Sequence, residues 1–402
     1  MGRRLLKGSV LGACIAAIAL PAWAQNAPGV TDTEIKIGQT MPYTGPVTAF
    51  STLGKGEVAY FKMLNDQGGV NGRKINLLSL DDGYAPPRTV EQTRKLVEQD
   101  GVAFIFSSIG TATNTAIERY LNSNKVPQLY IASGASKFGN YKEFPWTIGG
   151  IQATFRAEAR IYARQILMEK PNAKIAMLYQ NDDFGRDYVL GLKDVLGDKY
   201  ADTVKEATYE FTDATVDSQV VSLQATGADA LILVATPKFA AQAIRKVYDI
   251  GWKPMFYITN VAIWISTVLE PAGVDKAVGL MSSVYVKDPA DPGWDSDPDM
   301  KAWKVWMTKY MPEADPRDQN YVNSYNSGMA IVQALKQAGN DLSRDNIMKQ
   351  AANIKDLQLP MMLPGIKMNT SPTDYYPIEN MQMMRWNGKQ WVRYGDLLSG
   401  AL

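Results

Sequence analysis

From Thr33 onward the sequence switches repeatedly between short β-branched, apolar runs and longer segments with apolar residues at helical spacing. A parallel sheet with crossover helices requires that alternation, because parallel neighbours need a connection long enough to travel back along the sheet. Residues 35–39 read as a strand and 57–65 as a helix with Tyr60, Phe61 and Leu64 on one face, stopped by Gly68-Gly69. Residues 74–80 form the next strand, and a helix at 88–98, a strand at 102–106, a helix at 113–122 and a strand at 128–131 complete one α/β unit. A second unit starts near Gly150, with strands at 174–179, 204–209, 230–234 and 255–258 separated by helices at 153–168, 186–196, 218–225 and 239–248.

The order changes after Leu280. A Pro- and Asp-rich loop over 288–299 leads to helices at 300–310, 321–338 and 344–351, which lack intervening strands and must pack on something already built. The tail over 381–394 alternates around Asn387-Gly388, a dipeptide favoured in tight hairpin turns, and predicts a terminal β-hairpin. A chain of 402 residues exceeds the size at which one core stops growing, so two lobes are expected. No low-complexity linker separates them, which implies a chain that crosses between the lobes more than once.

Arg3, Arg4 and Lys7 precede an apolar run over 10–20 that ends in Ala22-Trp23-Ala24, the pattern of a signal peptide over 1–24 cleaved before Gln25. The run is about half of the roughly 20 residues that span a bilayer. An exported, periplasmic protein is expected. Removing the leader takes three basic residues and no acid, so 39 basic side chains face 41 acidic ones and nothing calls for nucleic acid. The one cysteine, Cys14, leaves with the leader, and there is no histidine. Disulfides, thiol nucleophiles, His-dependent triads and Cys/His zinc sites are excluded together. No Walker loop, Gly-x-Ser-x-Gly elbow or Rossmann glycine fingerprint is present. No catalytic residue, metal or cofactor is expected, although a carboxylate-only enzyme stays open as an alternative.

Ligands of open α/β sheets bind beyond the carboxyl ends of the strands. Three loops there are rich in small and hydroxylic residues: 40–46, 107–113 and 132–136. Gly110 and Gly134 permit close backbone approach, while Thr111, Thr113, Ser133 and Ser136 add donors beside helix N-terminal amides, a neutral cradle for an anion. Each hydroxyl serves equally well as an N-cap. Tyr43, Phe50, Tyr84, Phe184, Trp264 and Tyr321 are candidates for apolar walls, with packing inside their own lobe as the alternative for each. The aspartates of 288–299 lack the EF-hand glycine and glutamate, so they read as a solvated loop with Asp297 or Asp299 capping the next helix. Asp81-Asp82 reads as structural.

The order of these motifs resembles the branched-chain amino-acid-type periplasmic binding proteins of ABC transporters. The resemblance rests on Ile35 to Gly38 followed by Thr44-Gly45-Pro46, on NDQGGVNGRK over 65–74, on Asp81-Asp82, on 133–136 and on YQNDDFG over 179–185. It implies the type I periplasmic binding fold: two Rossmann-like lobes with parallel-sheet cores, joined by three hinge crossovers near Gly149-Gly150, Ser282-Ser283 and residue 380. Residues 31–149 with 284–379 would form the N-terminal lobe and 150–283 with 380–402 the C-terminal lobe. A small-molecule ligand would close the cleft, and the closed form would dock on a membrane permease, or on a signalling partner if the chain is a sensor subunit. The resemblance places a ligand carboxylate at Gly110, Thr111, Gly134 and Ser136, with aromatic walls at Phe50, Phe184 and Tyr321. One departure stands out: the second lobe's acidic residue that receives a ligand ammonium is replaced by Asn260. An ammonium buried without a counter-charge is costly. The expected ligand is therefore a carboxylate without an α-amine, such as an aromatic or hydrophobic acid, with amino acids or amides as the alternative.

Overall fold

The computed structural model describes residues 28–401; the leader read from the sequence lies outside them. The first lobe contains β1 (Glu34–Met41), α1 (Ser51–Asp66), β2 (Lys74–Asp81), α2 (Pro86–Arg94), β3 (Ile105–Phe106), α3 (Thr111–Ser123) and β4 (Gln128–Leu129). Its strands pair in parallel in the order β2-β1-β3-β4, with β1 and β2 in register from Glu34 opposite Lys74 to Met41 opposite Asp81.

The second lobe runs through α4 (Phe155–Glu169), β5 (Ile175–Gln180), α5 (Asp183–Leu196), α6 (Tyr200–Thr203) and β6 (Val204–Tyr209). It continues with α7 (Asp217–Gln224), β7 (Ala230–Val234), α8 (Pro237–Asp249), β8 (Met255–Ile258), α9 (Glu270–Ala272) and β9 (Met281–Val284). β5 and β7 are buried along their whole length and apolar except for Gln180 at the end of β5, as expected of strands covered by helices on both faces. The chain then returns to the first lobe through α10 (Pro298–Tyr310), α11 (Asn320–Ala338) and α12 (Arg344–Ala351), with α10 and α11 packed on α1. It crosses a third time into β10 (Asn380–Trp386) and β11 (Trp391–Ser399), which complete a seven-stranded sheet in the order β11-β10-β9-β8-β7-β5-β6. Among the described strands, the antiparallel pairings are those of β10 with β9 and with β11. The fold is α/β with two parallel-sheet cores, as the alternation predicts, and has the three crossovers that the resemblance implies.

Three local expectations are corrected. Helix α1 starts at Ser51, not at residue 57, because Gly54 and Gly56 are helical: a Cβ on Gly54 would meet Tyr43 Oη, and one on Gly56 would meet Ser324. The terminal hairpin has four loop residues between the paired Trp386 and Trp391, since Asn387 Oδ1 accepts from the amides of Lys389 and Gln390 at 2.9 Å each. The loop after β4 leads into a short 3-10 turn over Ser136–Gly139, so Ser133 and Ser136 stand at no α-helix N-terminus. Elsewhere the Asp-rich loop behaves as read: Asp297 caps α10 by accepting from Met300 N at 2.8 Å and pairs with Lys287 at 2.8 Å. The described residues hold no cluster suited to a metal ion.

Candidate functional site

The carboxyl ends of β2, β3 and β4 share a backbone feature. Tyr84 (φ +60), Ser107 (φ +49) and Tyr130 (φ +53) lie in the left-handed region that side-chain-bearing residues avoid. Each such residue costs on the order of 1–3 kcal/mol, and the cost persists only where surrounding contacts overdetermine it. Asp82 supplies one such contact, accepting from Tyr84 N at 2.9 Å while Thr89 Oγ1 donates to it at 2.8 Å. All three residues line one cavity between the lobes.

The first-lobe wall of that cavity includes Gly110, Thr111, Ser133 and Phe50; the second lobe contributes Phe155, Phe184, Thr236, Asn260 and Trp264. Gly110 (φ +101) is the N-cap residue of α3, which has no side-chain cap, so the positive end of the helix is left to the cavity. Thr111 Oγ1 and Ser133 Oγ meet at 2.7 Å beside it. The ring of Phe50 packs edge-on against Trp264 across the cleft at 5.0 Å, and Tyr84 packs against Phe211 at 5.7 Å. Ion pairs from Lys137 to Asp183 (3.3 Å) and from Arg317 to Glu270 (3.1 Å) also bridge the lobes, so the cleft is closed. The volume of the cavity is about 90 Å³. At roughly 10–15 Å³ per water, that is the space of a small organic molecule.

The polar chemistry of the wall is one-sided. None of the residues lining the cavity carries a charged side chain. Five of them nevertheless present a buried polar atom with no hydrogen-bond partner: Ser107 Oγ, Tyr130 Oη, Gln152 Nε2, Asn260 Nδ2 and Asn326 Nδ2. Buried polar groups left unpaired cost about 1–3 kcal/mol each, so their gathering in one cavity marks a place built for a polar occupant. The backbone of Asn260 is fixed from behind, its N–H donating to Glu158 Oε1 at 3.0 Å. Burial raises the pKa of Glu158, which is sheathed by the hydroxyls of Ser283, Tyr162 and Tyr188.

Eight of the sequence candidates come together here: Phe50, Tyr84, Gly110, Thr111, Ser133, Phe184, Asn260 and Trp264. Five do not reach the wall. Tyr43 Oη bonds Ser79 Oγ at 2.5 Å at the rim of the first sheet. Thr113 turns back to donate to Ile109 O at 2.6 Å. Gly134 is covered by Phe155 and Gln152. Ser136 binds Asp187 of the second lobe through both its amide, at 3.0 Å, and its hydroxyl, a bond between lobes instead of one to a ligand. Tyr321 packs against Gly56 of α1, and its carbonyl accepts from Trp303 Nε1 at 3.3 Å. Sequence reasoning missed Tyr130, Gln152 and Asn326, which sit in a strand end, a crossover and a helix and carry no local signal. Ser107 lay within a flagged loop and could have been found there.

With this geometry in view, the match to known proteins is direct. The family model described as "Periplasmic binding protein" matches residues 34–390. The chain belongs to the periplasmic binding protein family. Among relatives of this family, a Leu/Ile/Val-binding protein homolog 1 from Brucella abortus (strain 2308) is 26% identical over 353 residues, covering 85% of this chain and 86% of that protein. A branched-chain amino-acid ABC transporter protein from Thermus thermophilus, solved with bound valine, superposes with a TM-score of 0.79 at 16% identity, covering 92% of this chain and 97% of that one. A solute-binding protein of an ABC transporter from R. palustris, solved in complex with benzoate, superposes with a TM-score of 0.75 at 17% identity, covering 91% and 98%. These likenesses establish the type I periplasmic binding fold, and membership of the family implies a solute-binding role and a periplasmic location. Family and fold are those of substrate-binding proteins and not of enzymes.

Proposed function

We propose that the chain binds a small organic acid lacking an α-amine, an aromatic or hydrophobic carboxylate, and presents it to the membrane permease of an ABC importer. The observation that carries this reading is the wall: hydroxyl, amide and backbone donors surround the space, aromatic rings close it, and no acidic side chain lines it. A carboxylate at Gly110, Thr111 and Ser133 would meet the α3 N-terminus and the one hydroxyl hydrogen that the Thr111–Ser133 pair leaves free, favourable to negative charge without a salt bridge. An ammonium in the same space would find no counter-charge and pay its full desolvation cost.

The proposed moving bodies are residues 31–149 with 284–379 and residues 150–283 with 380–402, turning about the three crossovers. A ligand that touches both lobes only when they are closed shifts the population toward closure by its difference in affinity for the two states, and no bond is made or broken. Valine is the ligand of one structural neighbour and benzoate of another, so calorimetry with benzoate, leucine, valine and benzamide tests the reading. Binding of benzoate at least about tenfold tighter than leucine, a difference of about 1.4 kcal/mol, is expected. Leucine as the tighter ligand would refute it.

A further inference from the structure

A chain of hydrogen bonds leads from the rim of the first sheet to a carboxyl group behind the cavity wall. Ser79 Oγ donates to Gln39 Oε1 at 2.8 Å, and Gln39 Nε2 donates to Glu57 Oε2 at 2.7 Å. Since the one hydrogen of Ser79 is committed to Gln39, the 2.5 Å contact with Tyr43 must run from the tyrosine hydroxyl. The direction of every bond is thereby fixed, and Glu57 Oε2 is an acceptor. Its other oxygen, Oε1, is buried without a partner. The hydroxyl of Ser107 is set against this carboxyl, makes no other hydrogen bond and lines the cavity.

The surroundings offer Glu57 no positive charge. On the strand side stand Tyr43 and, past it, Asp81; α1 itself contributes Tyr60, and its Lys55 and Lys62 are solvent-exposed. The packed helices present Tyr310 on α10 and Tyr321 and Tyr325 on α11, with Asp318 just ahead of α11. Burial lifts the carboxyl to about 8, against the smaller opposing pull of Ser107 and Gln39.

We propose that Glu57 is a specificity-determining residue of this site, acting through Ser107 as a neutral carboxylic acid. Its Oε1–H donates to Ser107 Oγ, which leaves the serine hydrogen free for an anionic ligand. An ionised Glu57 draws that hydrogen back to itself and sets a negative charge directly behind the ligand. No proton is transferred in either state; the glutamate either holds its proton and admits an anion, or has lost it and rejects one. The inference rests on the cavity being an anion site.

Two measurements test it separately. Infrared spectra of the ligand-free protein should contain a protonated-carboxyl band near neutral pH that is missing in Glu57→Gln and converts to carboxylate as pH rises; absence of that band overturns the assignment. Benzoate affinity should fall about tenfold from about pH 7 to about pH 9.5 in the wild type, and this fall should be lost in Glu57→Gln. Ser107→Ala, which keeps the carboxyl but removes the link, should also flatten the profile. A fall that persists in Glu57→Gln overturns the proposal. If leucine is the ligand bound and its affinity climbs over the same range only when Glu57 is present, the anion reading fails while Glu57 is retained as the titrating residue.

Discussion

Replacing Asn260 by Asp would place a carboxylate on a wall that carries none, at a position whose own amide N–H already leans on Glu158. A ligand carboxylate in the same small space would be repelled, and an ammonium would gain the counter-charge it lacks. Asn260→Asp is therefore expected to weaken benzoate at least about tenfold and to strengthen leucine, read by calorimetry. Unchanged preference would show that Asn260 does not set the sign of the site. Gly110 is constrained in a different way. Its φ of +101 and the space around it both exclude a side chain, because a Cβ would collide with the Tyr84 ring and stand 2.6 Å from Thr113 Oγ1. Gly110→Ala should cost about 1–3 kcal/mol of stability and most of the ligand affinity, since Tyr84 is itself part of the wall. Thermal melts and titration of the same preparation separate the two losses.

At the scale of elements, the second lobe is tied together around one buried acid. Glu158 on α4 accepts from Tyr162 of its own helix, from Tyr188 on α5, from Ser283 on β9 and from the amide of Asn260 after β8. Tyr162 and Tyr188 have second partners in Ile258 O and Thr259 Oγ1, but Ser283 and the Asn260 amide would be left with poor alternatives. Glu158→Ala should destabilise by at least about 3 kcal/mol in chemical denaturation, and Glu158→Gln by less, because the amide still accepts on one side. Equal midpoints for wild type and Glu158→Ala would deny the network its structural role. Much of this element order could be read from the residues: β6, β7, β8 and α12 start and stop where the apolar periodicity does. Strand β4 stops short of the expected residue 131 because the chain leaves the sheet at Tyr130 in a left-handed conformation, as it does at Ser107 after β3, and neither residue type advertises such a bend; β3 is shorter only at its start, beginning at Ile105. The same hidden bends carry two of the missed wall residues, so the site was legible where glycine and hydroxyl composition marked it and illegible where tertiary contacts forced the backbone.

The whole molecule carries several acids that burial pushes above the ordinary carboxylate range: Glu57 to about 8, Glu118 to about 7, Asp182 and Asp187 to about 6. The folded protein keeps these protons where the unfolded chain has lost them, so stability falls as pH climbs from the ordinary carboxylate range through about 8. Asp194 acts in the opposite direction. Its hydrogen bonds and ion pairs with Arg156 and Arg160 hold its pKa low, and their contribution is lost as pH drops through that lowered value. Melting temperature should peak in the mildly acidic range, at about pH 5, and the alkaline decline should be shallower in Glu57→Gln. A flat profile up to about pH 9 would contradict the burial of these groups.

Closure adds a second coupling on the same scale. The lobes meet through aromatic edges and through ion pairs such as Arg317 with Glu270, whose half-exposed side chains make it a surface bridge worth about 1 kcal/mol at most. The part-buried bonds from Ser136 to Asp187 add to these contacts, and the ligand is expected to shift the balance further toward closure. At a free concentration 100 times its Kd it should add about 2.7 kcal/mol of stability and shrink the radius of gyration in solution scattering. Trp264→Ala removes both a wall of the cavity and the partner of Phe50, so it should weaken binding and leave the scattering curve closer to the open form at equal ligand. If the ligand raises the melting temperature without compaction, the halves do not move, and binding occurs in a cleft already shut.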